Sequence, residues 1–487
     1  MNIYKKRLLV QSISAAVVLT LVACGGSGDD AAPTPEPPAP PTTLERVQAY
    51  LAAEQRLWAT EVPSGEQAFA ASDSCYLTNG ATKEMRIATY NASSAAFRKG
   101  FRFENVEILE ERQTTNADGS ARHEVDVRYD EVFTGGTSTK GIHTTLIAGS
   151  SAGTPGCATP TTGEDMRSLG NRRILGAVVQ ARNISYSYNR LSDGTPQDNP
   201  TQLRRELRWN ITDPSGVATY VVISGPGRNG DGTPFSMKYI SPRMMREAPE
   251  LQGVVGSATY LDTDSFVRCR SNANDGVANA DTADCVGLGG TGTGWGVRLN
   301  PPYSAERIAQ VDTIFESLGF EAGGQYTIAV YNDDGWKTVN GQAGKTPIAT
   351  LTALTDRLPY TLAEMTASPA AHPVIAVSSL TPAQLVEGFK TTGGVLDLTW
   401  TAAEAPAGAA PMAIASTYTH RQGPKTDAAP WPRVRGSLVQ WPAPGALSLE
   451  LPFEGKPEGA SATSYAEYAI QYTDRNNGWI IMNVQYY

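Results

Sequence analysis

Residues 207–211 read Leu-Arg-Trp-Asn-Ile, and residues 396–400 read Leu-Asp-Leu-Thr-Trp. A strand points successive side chains to opposite faces, so Leu207, Trp209 and Ile211 share one face, as do Leu396, Leu398 and Trp400. The sequence downstream of each run repeats as well. Tyr326-Thr327-Ile328 leads to Asn332-Asp333-Asp334-Gly335-Trp336, and Tyr468-Ala469-Ile470 leads to Asp474 through Gly478-Trp479. A Trp on an alternating strand, a later Tyr-x-Ile and an Asp/Asn-Gly-Trp hairpin thus occur twice. Around these runs the chain from residue 200 reads as strand and turn: Val217–Ile223 ends at Gly225-Pro226-Gly227, and Ile480, Met482, Val484 and Tyr486 alternate to the end. Residues 305–318 read as one short helix. The expectation is two β-sandwich domains, over 189–368 and 369–487.

Upstream the period is helical first. Leu44, Val47, Leu51 and Trp58 keep close to one stripe behind a capping box at Thr42-Thr43-Leu44-Glu45, so 43–59 reads as a helix. A second helix is expected over 82–98. From Phe101 the period changes to two, with strands over 102–113, 121–133, 138–148 and 172–187, and a hairpin turn at Asn116-Ala117-Asp118-Gly119. Helices and then a meander indicate an α+β domain over 43–188.

Two of these segments resemble known families. The last module looks like a fibronectin type III or related immunoglobulin-like sandwich, which would make Trp400 the buried core Trp and Tyr468 the Tyr of a late strand. The 43–188 segment looks like the NTF2-like fold, and that resemblance implies a curved sheet wrapped on helices to form a cone. Its local basis is Met166-Arg167-Ser168-Leu169-Gly170-Asn171, placed where such domains often carry W-x-x-x-G-N, with Met166 in the position of the Trp.

The first 23 residues read as a signal peptide. Lys5-Lys6-Arg7 precedes a mostly apolar run from Leu8 to Val22, too short for a membrane span of ~20 apolar residues. Leu21-Val22-Ala23-Cys24 resembles the bacterial lipoprotein signal, in which the Cys receives lipid and becomes the new N-terminus; Gly25 in place of Asp resembles the pattern for the outer membrane. Residues 24–42 then read as a lipidated Cys24 and a proline-rich tether, with Pro33, Pro35, Pro37, Pro38, Pro40 and Pro41 favouring extended polyproline II. These readings imply a lipid-anchored protein of the cell outer membrane.

The chain has 487 residues and a net charge of −9, which becomes −12 once the three positive charges of the signal peptide leave. That balance excludes nucleic acid as a partner, because displacing phosphate counterions needs a basic surface. Beyond Cys24 four cysteines remain. Chain order favours Cys75–Cys157 and Cys269–Cys285, each within one proposed domain. No C-x-x-C spacing supports zinc or redox chemistry.

No catalytic motif stands out. There is no Gly-x-Ser-x-Gly elbow and no His-Glu-x-x-His. Residues 287–292 spell G-x-G-x-x-G but lack the strand before and helix after that a dinucleotide site needs. Asn274, Asp275, Asn279, Asp281 and Asp284 crowd the loop before Cys285, yet the calcium-loop spacing fails. No metal or other cofactor is therefore expected. His123 and Tyr129 share a face of the 121–133 strand, and His143 lies on the next one, so an apolar pocket around these three is the candidate for ligand or acid–base chemistry. Trp431-Pro432 and Trp441-Pro442 are the candidates for exposed rings that stack on glycan faces. The expectation is a non-enzymatic, lipid-anchored envelope protein with a binding or assembly role, its partner an envelope protein or glycan. The alternatives are a small-ligand carrier or enzyme using the His123 pocket, and glycan binding by Trp431 and Trp441.

Overall fold

A computed structural model describes residues 40–92, 98–134, 138–229, 232–241, 243–244, 266–268, 294–337, 341–355, 357–367, 375–377, 380–401, 412–422, 433–440, 442, 446–455, 462–473 and 478–487. Helix α1 (Thr43–Leu57) is the first of the described elements. After it come the short α2 (Gly65–Ala68), the two-residue strands β1 (Leu77–Thr78) and β2 (Ala81–Thr82), and α3 (Lys83–Ala92). Four long strands then pair in chain order as an antiparallel sheet: β3 (Arg102–Thr115), β4 (Ala121–Val132), β5 (Ser138–Ser150) and β6 (Thr162–Gly170). The turn read at 116–119 forms, with Gly119 N–H donating to Asn116 O at 2.9 Å and Gly119 at φ +84°. The stripe of α1 buries Val47 and Leu51 against Val125, Val127, Leu146 and Met166, so the face under the helix is filled.

Cys75 and Cys157 are joined by a disulfide that spans 82 residues of sequence. Closing a loop of that size is worth ~4.5 kcal/mol in the chain-entropy picture. Gly170 ends β6 at φ +74°, and a Cβ there would stand 2.4 Å from Leu77 O. The β1–β2 hairpin therefore packs directly on its backbone. Asn171 Nδ2 donates to Asn79 Oδ1 at 2.8 Å and holds the same contact from the side.

The strand expected at 172–187 forms as β7 (Gly176–Asn189), but it does not join the β3–β6 sheet. It pairs instead with β8 (Pro196–Thr212), antiparallel, and with the last strand of the chain. Next come β9 (Tyr220–Arg228), β10 (Pro234–Ile240), β11 (Val267–Arg268), β12 (Gly294–Leu299), α4 (Ala305–Glu316), β13 (Gln325–Tyr331) and β14 (Ala349–Leu354). The chain continues through α5 (Leu362–Ala367), β15 (Ile375–Val377), α6 (Pro382–Lys390), β16 (Gly393–Trp400), β17 (Met412–Gln422), β18 (Arg433–Gln440), β19 (Ser448–Glu454), β20 (Ala462–Thr473) and β21 (Trp479–Tyr486).

One seven-stranded sheet runs β12-β8-β7-β21-β20-β17-β18. At its centre β7 and β21 pair in parallel from Arg182↔Trp479 to Asn189↔Tyr486. A five-stranded sheet, β11-β10-β9-β13-β14, packs on one end, and a three-stranded sheet, β15-β16-β19, on the other. The result is two β-sandwiches that share a sheet. Thr43–Tyr487 forms a single compact unit. The parallel pairing gives each central strand a partner on both sides, which removes two sheet edges.

Each sandwich has its own core. Leu207, Trp209 and Ile211 pack with Ile223, Phe235, Tyr326 and Ile328 in the first. Leu396, Leu398 and Trp400 pack with Leu451, Tyr468, Ile470 and Phe389 in the second. Trp209 is 1% exposed and Trp400 5%, as burial of the alternating faces requires. The sequence echo has an inverted placement. Trp209 stands on the shared sheet and faces Tyr326 across the sandwich at 5.3 Å, whereas Trp400 stands on the outer sheet and Tyr468 on the shared one. In both cases the Trp strand and the Tyr strand lie in opposite layers.

A buried polar network fastens α4 and α5 under the shared sheet. Arg205 pairs with Asp312 at 2.9 Å and donates to Pro359 O at 3.1 Å. The Asp312 carboxylate also accepts from Leu362 and Ala363 N–H, at 2.8 and 3.0 Å, and so caps α5. Asn183 on β7 exchanges two hydrogen bonds with the backbone of Tyr360.

Candidate functional site

His123 opens at a cleft of about 400 Å³ at the end of the β3–β6 sheet, lined among others by Arg46, Gln113, Arg122, Gly149 and Glu164. The register explains its partner. Gln113 stands opposite His123 and Glu111 opposite Val125, so Glu111 is the diagonal neighbour on the same face. His123 Nε2 lies 2.9 Å from Glu111 Oε1, and His123 Nδ1 lies 3.3 Å from Arg46 Nη1. Arg46 can only donate and a carboxylate can only accept, so the neutral tautomer with its proton on Nε2 satisfies both contacts. Thr43 Oγ1 donates to the same Glu111 oxygen at 2.8 Å, and this bond, with that from His123, holds the Glu111 carboxyl below its ordinary range despite some burial. Arg46 Nη2 donates to Glu164 O at 2.6 Å, which fixes the guanidinium at the mouth. The cleft thus presents an imidazole between a carboxylate and a guanidinium, with Arg122 beside it.

The other two residues expected at this pocket lie elsewhere. Tyr129 shares the face of His123 but sits six residues further on, ~20 Å along the strand. It is buried in the filled core, its ring 4.7 Å from Phe103. Burial first, then the charges of Glu54 and Glu131, push its phenol well above the usual range. His143 pairs with Arg128, one position from the inward Thr144, and therefore stands on the opposite face of the sheet. An open cone joining all three residues is not what forms, because the stripe of α1 fills the space between His123 and Tyr129, and His143 stands on the other face.

A second cluster has no linear signature. Arg98 pairs with Glu131 at 2.7 Å and with Glu54 at 3.8 Å, and its guanidinium lies 4.8 Å from the Trp58 ring. One cation serves two carboxylates here. Burial, opposed by Arg98 and reinforced by Glu131, raises the Glu54 carboxyl from 4.5 to about 7. Glu54 comes from α1, Arg98 from just before β3 and Glu131 from the end of β4, so only the folded chain brings them together.

Cys24, Cys269–Cys285, Trp431, Trp441, the 271–284 loop and the 287–292 glycines all lie outside the described residues. Among the described residues no group of three or more His, Cys, Asp or Glu side chains is placed to hold a metal ion. Nor is any described helix long and apolar enough to cross a membrane.

No family model matches the chain, and no curated protein matches it. Among solved structures, domains A168–A170 of titin align at 10% identity over 78% of this chain and 97% of that one, with a TM-score of 0.13. The CBD12 domains of CALX1.2 align at 10% identity over 60% and 79%, with a TM-score of 0.09. Salmonella alpha-2-macroglobulin aligns at 8% identity over 79% and 23%, with a TM-score of 0.11. At these scores the fold stands on its own strand pairing.

Proposed function

We propose that the chain is an exported, lipid-anchored protein of the outer membrane whose body is a rigid binding scaffold of the cell envelope. The parallel pairing of β7 with β21 carries the scaffold part of this reading, and the Leu21-Val22-Ala23-Cys24 stretch supports the anchor part. A sheet shared by two cores resists the hinge motion that is the default between separate domains. It suits display of fixed surfaces at the end of a tether. The N-terminal unit is read as NTF2-like, supported by helices ahead of a four-stranded antiparallel meander. The last module is read as fibronectin type III-like, supported by seven strands divided three and four, β15-β16-β19 against β18-β17-β20-β21.

Two experiments test this. Fatty-acid labelling and membrane fractionation should show Cys24→Ser unlabelled and released; label retained in that variant contradicts the anchor. In-cell crosslinking from exposed positions such as Val395 should recover one envelope partner, unchanged in His123→Ala. Recovery of none contradicts the scaffold role.

The cleft favours a second reading, a carrier of small polar ligands, because about 400 Å³ lined by Arg46, Arg122 and His123 fits a compact anion. His123→Ala should then weaken binding of a ligand that co-purifies with the chain. Purification of an empty wild-type protein counts against it.

A further inference from the structure

Among the described residues, the outer face of the shared sheet, turned away from the first core, carries an unbalanced set of charges. Leu203, Arg205, Leu207 and Trp209 point inward along β8, so Arg204, Glu206 and Arg208 point outward. The ladder sets Arg298 of β12 directly opposite Arg204, and Arg182 of β7 directly opposite Glu206. Four guanidinium groups therefore gather around one carboxylate. Arg204 Nη2 and Arg182 Nη1 both pair with Glu206, the latter at 3.4 Å. Those two pairs place one guanidinium on each oxygen of the carboxylate. Arg298 lies 5.9 Å from the Tyr186 ring, and among the described residues Arg208 has neither a hydrogen bond nor an ion pair.

The cations are not simply solvated. The side chains of Arg182, Arg204 and Glu206 are 12%, 6% and 4% exposed. Among the described residues the Nε atoms of Arg182, Arg204 and Arg208 are buried without an acceptor, as is that of the inward Arg205. Burial and the neighbouring Arg182 push the Arg208 guanidinium down to about 10. Burial raises the Glu206 carboxyl, but the four arginines outweigh it and hold it low. β12 places glycines opposite two of these residues, Gly294 opposite Arg208 and Gly296 opposite Glu206. A Cβ on Gly296 would stand 2.9 Å from Arg205 O and 3.1 Å from Arg204 Nε, so both the β8 backbone and that guanidinium pack directly on the glycine. Arg298 is exposed and leaves an approach from solvent.

We infer that this face is an oxyanion-binding site, in which Arg208, Arg204 and Arg298 take a phosphate or carboxylate group of a small ligand. Guanidinium forks match both groups in plane and spacing, and Glu206 orients two of the cations while leaving the set with a net charge of about +3. The site lies on β7, β8 and β12 and is independent of the anchor and of the His123 cleft.

The test titrates inorganic phosphate and, separately, succinate into the full-length chain at constant ionic strength held with chloride. Thermal unfolding is the readout. A saturable rise in melting temperature with phosphate alone assigns a phosphorylated ligand, and with succinate alone or with both, a carboxylate-tolerant site. In either case Arg208→Gln should weaken the apparent affinity on the order of tenfold. Arg298→Gln, at an exposed position that does not threaten folding, should weaken it several-fold. A non-saturating response equal to that of chloride, or one that both variants retain, overturns the assignment and leaves the row as a structural charge cluster.

Discussion

Arg205 and its neighbours Arg204 and Arg208 stand on one strand, and the two faces of that strand treat their arginines differently. Arg205 points inward, where Asp312 and the Pro359 carbonyl meet it and Asp312 also caps α5. Arg204 and Arg208 point outward into a set of four cations with one carboxylate. Arg205 meets two carboxylates, Asp312 and Glu316, and a carbonyl, so its work is to hold α4 and α5 under the sheet. Buried Nε atoms without an acceptor occur on both faces, but among the described residues the outer row sets four cations against one carboxylate at low exposure, a cost that a purely structural device avoids. The same residue type is a fastener on one face and a receptor for an anion on the other, and the difference lies in what each face places opposite it.

Removing the inner carboxylate gives the largest expected effect. Asp312→Ala strands a buried guanidinium and uncaps α5, and should cost ~3–5 kcal/mol in denaturant unfolding. A loss below ~1 kcal/mol would break the contrast, because the inner network would then be no more structural than the outer.

The Arg98 cluster inverts the outer row, with two carboxylates for one cation. Folding raises Glu54 from 4.5 to about 7, so the folded chain keeps a proton that the unfolded chain releases. Its contribution is fully present below pH 4.5 and is lost as pH rises to about 7. The shift bounds this at ~3 kcal/mol, and the 23% exposure of the side chain reduces it through solvent screening. Glu54→Gln should flatten the fall in stability across that window. An unchanged profile would place the titration elsewhere.

Arg208→Gln should change stability by less than ~1 kcal/mol, in the stabilising direction, since it removes a cation repelled by its neighbours. A loss as large as that of Asp312→Ala would make the outer row structural. Smallest of all, Glu111→Gln should alter unfolding by under ~0.5 kcal/mol, because the His123–Glu111 pair is partly exposed. Its effect should appear instead in the imidazole ring signals of His123 by NMR.

Alternation made the two cores legible. Trp209 and Trp400 occupy the buried faces that a period of two assigns them, and the Cys75–Cys157 pairing follows from chain order. Glu111 was within reach too. The turn at 116–119 sets a register that puts Gln113 against His123, and the carboxylate two residues earlier is then the diagonal partner. The pairing of β7 with β21 had no such signal. It joins strands nearly 300 residues apart, and each alone reads as an ordinary alternating strand, so sequence order drew a boundary where the sheet is continuous. Glu54, Arg98 and Glu131, and the four arginines around Glu206, are assembled by register between distant strands and helices, which no linear spacing encodes.

The shared sheet is the claim on which the scaffold reading rests. Native-state hydrogen exchange at rising denaturant tests it directly, through the amides of 183–189 and 480–486. If the two strands form one ladder, both sets lose protection at the same denaturant concentration and with the same free energy as the cores around Trp209 and Trp400. If residues 412–486 exchange at lower denaturant while 176–240 stay protected, the sandwiches are separate and the scaffold reading fails.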